Sequence, residues 1–173
     1  MKNKIRLLKK RLRKGRFNND LKLKIVSWQS PEYLSAIKLR NDSLNRPSGL
    51  DLITHPPTHE EHVVHIVAMI KGDVVGTLFL DHTERDGVGQ IKQVAVSSEY
   101  RGRKIGQYLM TYAENVAIQM GYQEVVLYAR ESAWAFYEKL HYVNFGEQAS
   151  NGANMMQYYR KELGITSDIV EVA

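Results

Sequence analysis

The chain has 173 residues, a formal charge of +5, 43% hydrophobic and 25% charged residues, which excludes a mostly disordered chain and a coiled-coil rod. No apolar run approaches the roughly 18 residues that span a bilayer. With no cysteine, a disulfide scaffold, a thiolate nucleophile and a cysteine zinc site are excluded too.

The charge is uneven. Residues 1–16 hold nine of the 24 Lys+Arg and no acid, leaving 15 basic against 19 acidic residues, a net of −4, on the rest. The expected organisation is a basic arm (1–20), one domain (21–163) and a loose acidic tail (164–173). Ile5, Leu8 and Leu12 suggest a weakly amphipathic basic helix in the arm, without the apolar centre of a secretory signal. The arm reads as a tether to RNA or an anionic membrane surface, or as a solvated extension. The missing thiols fit a reducing compartment, so a cytoplasmic location is expected.

In chain order, the alternation of Leu21, Leu23 and Ile25 predicts a half-buried strand. Ser30 and Pro31 open a helix through Leu34, Ile37 and Leu44 to about Asn45. Residues 49–61, with Pro56-Pro57, read as a loop beside the site. Strands are predicted over 62–70, 74–81 and 90–96, joined by turns at Gly72-Asp73 and Asp86-Gly87 into a meander. Leu109, Tyr112, Ala113, Val116, Ala117 and Met120 share a helical face that Gly121 ends. A buried strand (124–129), a short helix (132–140) and two strands (142–146, 155–161) follow. This order predicts an α/β (α+β) fold around a mixed sheet.

The informative segment joins the third meander strand to the long helix. The first amides of a helix lack intrahelical partners and carry about half a positive charge, which makes an anion seat. Gly102 and Gly106 let the backbone approach an anion, and Arg101, Arg103 and Lys104 add full charges. Neither G-x-x-x-x-G-K-S/T nor G-x-G-x-x-G is present. A solvated basic turn before an ordinary helix is the other reading.

Three segments in order resemble the GNAT superfamily of N-acetyltransferases. VAVSSEYRGRKIGQYLM is similar to its strand, Arg/Gln-x-x-Gly-x-Gly/Ala loop and helix; GYQEVVL follows; AWAFYEKLHY looks like its Ala-x-x-Phe-Tyr-x-Lys-x-Gly-Phe/Tyr helix. The resemblance covers residues 21–161 and is strongest over 90–145. It departs at Lys104 and His141, where the family has glycine. A side chain at Lys104 is costly if the position needs a positive φ.

The resemblance implies a mostly antiparallel central sheet flanked by helices, and transfer of an acetyl group from acetyl-CoA to an amine. By position, Arg101, Gly102, Arg103, Lys104, Ile105, Gly106 and Gln107 would hold the pyrophosphate. The backbone of Val94, Ala95 and Val96 would meet the pantetheine arm in the manner of an added strand, with Arg130 and Ala133 nearby. Tyr137 would be the general acid toward the departing thiolate, and an amide near Val94 could stabilise an oxyanion. Zero cysteines fit direct transfer. The meander strand reads Gln90-Ile91-Lys92-Gln93, without the carboxylate many relatives place there, so Glu61, His65, Asp81 and His82 stay open as bases.

Competing signals are weaker. His55, His59, His62 and His65 mimic a metal cluster, but Pro56-Pro57 bars a helix, and on a strand His62 and His65 point to opposite faces. No metal is expected; loop histidines near the acceptor are. No G-x-S-x-G elbow marks a serine hydrolase. Lys104 and the missing carboxylate also motivate a CoA-binding or RNA/ribosome-associated module with weak or no transfer. The acceptor would be a primary amine of a small molecule or protein. The acidic body suggests a cationic one, in a pocket built from the first helix, the 49–61 loop and the last strands. A homodimer stays open.

Overall fold

A computed structural model describes residues 20–151 and 154–164. The basic arm before Asp20, and the acidic tail beyond Gly164, lie outside the described residues.

The chain forms β1 (Lys22–Val26), α1 (Pro31–Arg40), β2 (Val64–Ile70), β3 (Asp73–His82), β4 (Val88–Val96) and α2 (Ile105–Gln119), then β5 (Glu124–Arg130), α3 (Trp134–Lys139), β6 (Val143–Asn151) and β7 (Asn154–Glu162). This is the predicted order. The strands form one sheet, β1-β2-β3-β4-β5-β7-β6. Only the β4–β5 pairing is parallel; all other neighbours run antiparallel. Among the described residues, no helix is long and apolar enough to cross a membrane.

Strand alternation gives the sheet two faces. On one, Ile66, Ala68, Leu78, Leu80, Ile91, Val125 and Leu127 pack with Leu109, Met110 and Ala113 of α2 in the main core. Gly76 allows this approach: a Cβ there would lie 2.8 Å from Leu109 Cδ1 and 3.1 Å from Ile105 Cγ2. On the other face, Val26 and Val67 pack with Tyr33 and Ala36 of α1.

Helix α1 starts as its sequence predicts. Ser30 Oγ accepts a hydrogen bond from the Tyr33 amide at 3.2 Å, and Pro31 occupies the first position. It ends at Arg40 rather than Asn45. A π-helical turn (Asn41–Asn45) and a 3-10 turn (Arg46–Ser48) continue the chain. The cause is asparagine side chains that take over backbone partners. Asn41 Oδ1 accepts from the Leu52 amide at 2.8 Å, and Asn45 Nδ2 donates to the Arg40 carbonyl at 3.1 Å.

The buried side of α1 also differs from the predicted Leu34–Ile37–Leu44 stripe. Leu34 is 59% exposed, whereas Tyr33, Ala36 and Arg40 are buried. Arg40 forms a two-pronged ion pair with Glu60, Nη2 to Oε1 at 2.6 Å and Nη1 to Oε2 at 2.9 Å. Tyr33 Oη donates to the same carboxylate at 3.1 Å. The Glu60 carbonyl lies 2.8 Å from His65 Nε2, whose ring sits edge-on to Tyr33 at 4.7 Å. This buried network fastens the loop before β2 to α1.

Two stability outcomes follow. Glu60→Ala strands the buried Arg40 charge and should cost about 3–5 kcal/mol in urea unfolding; adding Arg40→Met should recover most of it, and a double variant as unstable as the single would contradict the pairing. His141 ends α3 at φ +66, where Gly121 ends α2 at φ +88. His141→Gly should therefore gain about 0.5–1 kcal/mol by thermal denaturation.

Candidate active site

β4 and β5 pair over only three positions each, residues 88–90 with 124–126. Beyond them β4 has only β3 as neighbour, and β5 only β7. The cause lies in β4. Thr77 pairs with Ala95 and Phe79 with Lys92, so Gln93 and Val94 together oppose Leu78. This is a β-bulge, with Gln93 at φ +55. A bulge bends its strand and increases the twist, which parts β4 from β5. The bulge also changes phase, so Val94 and Val96 pack against the main core. Gln93 Oε1 is buried without a hydrogen-bond partner.

The loop after β4 makes a 3-10 turn (Ser98–Tyr100) and leads to α2. Arg101, Gly102, Arg103 and Lys104 are all exposed. Arg101 Nε donates to the Val96 carbonyl at 3.4 Å, and the Arg103 guanidinium lies 5.0 Å above the Tyr100 ring. Lys104 takes the left-handed conformation, φ +61, at the helix N-cap, and no side chain caps the helix. The first intrahelical bond runs from the Tyr108 amide to the Lys104 carbonyl at 3.0 Å. The amides of Ile105, Gly106 and Gln107 therefore face outward from the helix start. Ile105 anchors it, 1% exposed. Gly106 also serves packing: a Cβ there would lie 3.2 Å from the Phe136 ring.

Tyr137 follows Phe136 on α3 and is 7% exposed. Its ring contacts Phe136 at 5.0 Å, Tyr142 at 5.9 Å and Tyr159 at 6.2 Å. Burial pushes its phenol up to about 12, so it keeps its proton through neutral pH. The cage is pinned by polar bonds on its outer side. Tyr142 Oη donates to Glu114 Oε1 at 3.0 Å, Lys161 Nζ donates to Glu114 Oε2 at 2.8 Å, and Tyr159 Oη donates to Glu138 Oε1 at 2.9 Å. Ala133, half-buried, precedes α3.

Arg130 turns to the opposite face from Ala129. Its Nη2 donates to the Leu44 carbonyl at 3.1 Å and to Ser48 Oγ at 2.8 Å. It thus joins the end of β5 to the turns after α1.

The four candidate bases do not converge. His65 is 4% exposed with Nε2 engaged, and burial lowers its pKa. Asp81 Oδ2 accepts from Lys92 Nζ at 2.8 Å, and its Oδ1 lies 3.1 Å from His82 Nδ1. Glu61 is exposed, 3.7 Å from His62 Nε2.

The Glu60 network, the bulge and the Glu114 bonds were not read from the sequence. Only the bulge leaves a trace there: apolar positions run Ile91, Val94, Val96, so the spacing slips from two to three. Glu60, Arg40 and Glu114 look like ordinary surface charges because their partners are distant in the chain.

The fold and the sequence have counterparts among known proteins. A family model described as Acetyltransferase (GNAT) family matches residues 23–142. Glucosamine 6-phosphate N-acetyltransferase of Candida albicans is 28% identical over 141 residues, 72% of this chain and 89% of that protein. A crystal structure titled putative N-acetyltransferase from Lactobacillus plantarum superposes with TM-score 0.74 at 22% identity, covering 84% of this chain and 99% of that one. An aminoglycoside 6'-N-acetyltransferase complexed with coenzyme A gives TM-score 0.70 at 15% identity, covering 82% and 97%. This chain belongs to the GNAT acetyltransferase family.

Proposed function

We propose that this acetyltransferase is a cytoplasmic enzyme that uses acetyl-CoA and transfers the acetyl group directly to a primary amine. The observation that carries the reading is the parting of β4 from β5 beside an uncapped helix start. The free strand edges offer backbone donors and acceptors to an extended amide-bearing chain, as β-augmentation requires. The outward amides of Ile105, Gly106 and Gln107, with Arg101, Arg103 and Lys104 beside them, suit the phosphates. Acetyl-CoA, when bound, supplies the activated acyl group as a thioester.

The chain's own residues would divide the work. The opened edge of Val94, Ala95 and Val96 orients the extended arm, and an amide near Val94 faces charge that develops on the acyl oxygen. Tyr137 holds a proton at Oη for the departing thiolate, and its burial keeps that proton in place. The relative that acts on glucosamine 6-phosphate and the fold neighbour that acts on aminoglycosides both work on amines, which supports an amine acceptor here.

Tyr137→Phe should lower kcat by about a hundredfold with the CoA Kd unchanged by calorimetry; full turnover would refute the proton-donor role. In the unaltered enzyme the basic limb of kcat should lie near the raised phenol value of about 12, above the ordinary 10.0. A limb near 10 would mean a solvated phenol.

Arg103 is exposed, with its guanidinium 5.0 Å above the Tyr100 ring. Arg103→Glu should weaken CoA binding by roughly tenfold without changing Tm. Equal affinity would contradict the phosphate seat. Tight CoA binding without turnover on any amine would mark the chain as a CoA-binding module instead.

A further inference from the structure

A cavity of about 330 Å³ lies at the C-terminal end of β5, lined by Arg130, Glu131, Ser132, Asn154 and Met155. The bonds from Arg130 to Leu44 and Ser48 tie it to the turns after α1, and Asn154 and Met155 bring in the β6–β7 hairpin. Those bonds end on a carbonyl and a hydroxyl, so they leave the charge of Arg130 unbalanced. Among the described residues, no carboxylate pairs with Arg130 and no cation pairs with Glu131. One small cavity therefore carries two opposite charges, neither of them neutralised.

We propose that this cavity receives the acceptor and that Arg130 binds an anionic group on it, so that the substrate is a small amine carrying a carboxylate or a phosphate. The inference rests on the transferase reading above. A volume near 330 Å³ falls at the lower end of small-molecule sites and suits a compact metabolite better than a polypeptide. Arg130 spends Nη2 on its two neutral partners, which fix the plane of the guanidinium and leave the Nη1 and Nε hydrogens for an anion. Glu131 supplies the opposite sign for an ammonium end. A polycationic acceptor, which the acidic body alone suggests, would have to bring a charge against Arg130.

The test assays the full-length protein with saturating acetyl-CoA against matched acceptors: an amino sugar with and without its phosphate, an amino acid and the same amine without its carboxylate, and spermidine. CoA affinity is measured separately by calorimetry. The anionic member of one pair should be preferred at least about tenfold in kcat/KM, and which pair it is tells phosphate from carboxylate. Arg130→Gln should raise the KM for that acceptor about tenfold or more, Arg130→Lys should restore part of it, and the CoA Kd should stay constant in both. Should Arg130→Gln misfold, Ser132→Asp, which sets a carboxylate beside Arg130 at an exposed position of the cavity, should raise the KM for the anionic amine several-fold. Preference for the amines without the anionic group or for spermidine, a weakened CoA Kd in Arg130→Gln, or an unmoved KM in the variants overturns the proposal and leaves the transferase reading standing. CoA binding with no turnover on any amine sinks the transferase reading, and this inference with it.

Discussion

Past Gln90 and Val126 the parallel ladder between β4 and β5 ends, although both strands continue for several residues. Inside a sheet such edges would be paired, because a backbone amide or carbonyl withdrawn from water without a partner is costly. The gap therefore stays open to water or to something that supplies the missing bonds. The proposed site is arranged around it. The helix start of α2 follows from the β4 side, and the helix carrying Tyr137 follows from the β5 side.

An open sheet needs its two halves held together, and they are held differently on each face. On the α2 side the main core is continuous, running from Ile66 through Leu109 to Tyr159. On the α1 side no such core crosses the parting among the described residues. The small cluster there stops at Val26, Tyr33, Ala36 and Val67. A polar link crosses instead, Arg130 reaching from β5 to Leu44 and Ser48, while the Arg40–Glu60 pair holds the loop before β2 to α1 within one half. A face tied by a few directional bonds leaves space between them. The cavity beside Arg130 is part of that space.

Most of the fold was legible because it is written in local periodicity. The alternation of β1, the helical stripe of α2 and the turn glycines each depend on neighbours in the chain. The Arg- and Gly-containing loop was legible for the same reason, since a strand, a loop and a helix start are contiguous. What escaped depends on distant partners. Arg40 and Glu60 are 20 residues apart, and Glu114 and Lys161 are 47 apart. The path of α1 was misread because its buried side is polar: a hydrophobic stripe marks the inward face only when apolar contact holds the helix down. The bonds of Arg130 to Leu44 and Ser48, 86 and 82 residues away, were equally hidden.

Three residues of the site adopt a backbone that favours glycine. Gln93 lies at the bulge, Lys104 at the start of α2 and His141 at the end of α3, all at positive φ. Each costs on the order of 1 kcal/mol relative to glycine, and such positions persist only where the surroundings leave no alternative. Ile105 is buried and Gly106 closes on Phe136, so the backbone before them must turn left to enter the helix whatever residue stands at 104. With glycine there, the turn would be relaxed and the loop would keep only two cations. With lysine, the strain is set against the charge-assisted contact that one more cation can offer an anion there. The two departures from the family pattern are thus unlike in kind. Lys104 exchanges strain for charge at the proposed phosphate seat, whereas His141 is exposed at a helix end, where its amide donates to the Glu138 carbonyl at 3.0 Å, a bond that glycine would make as well.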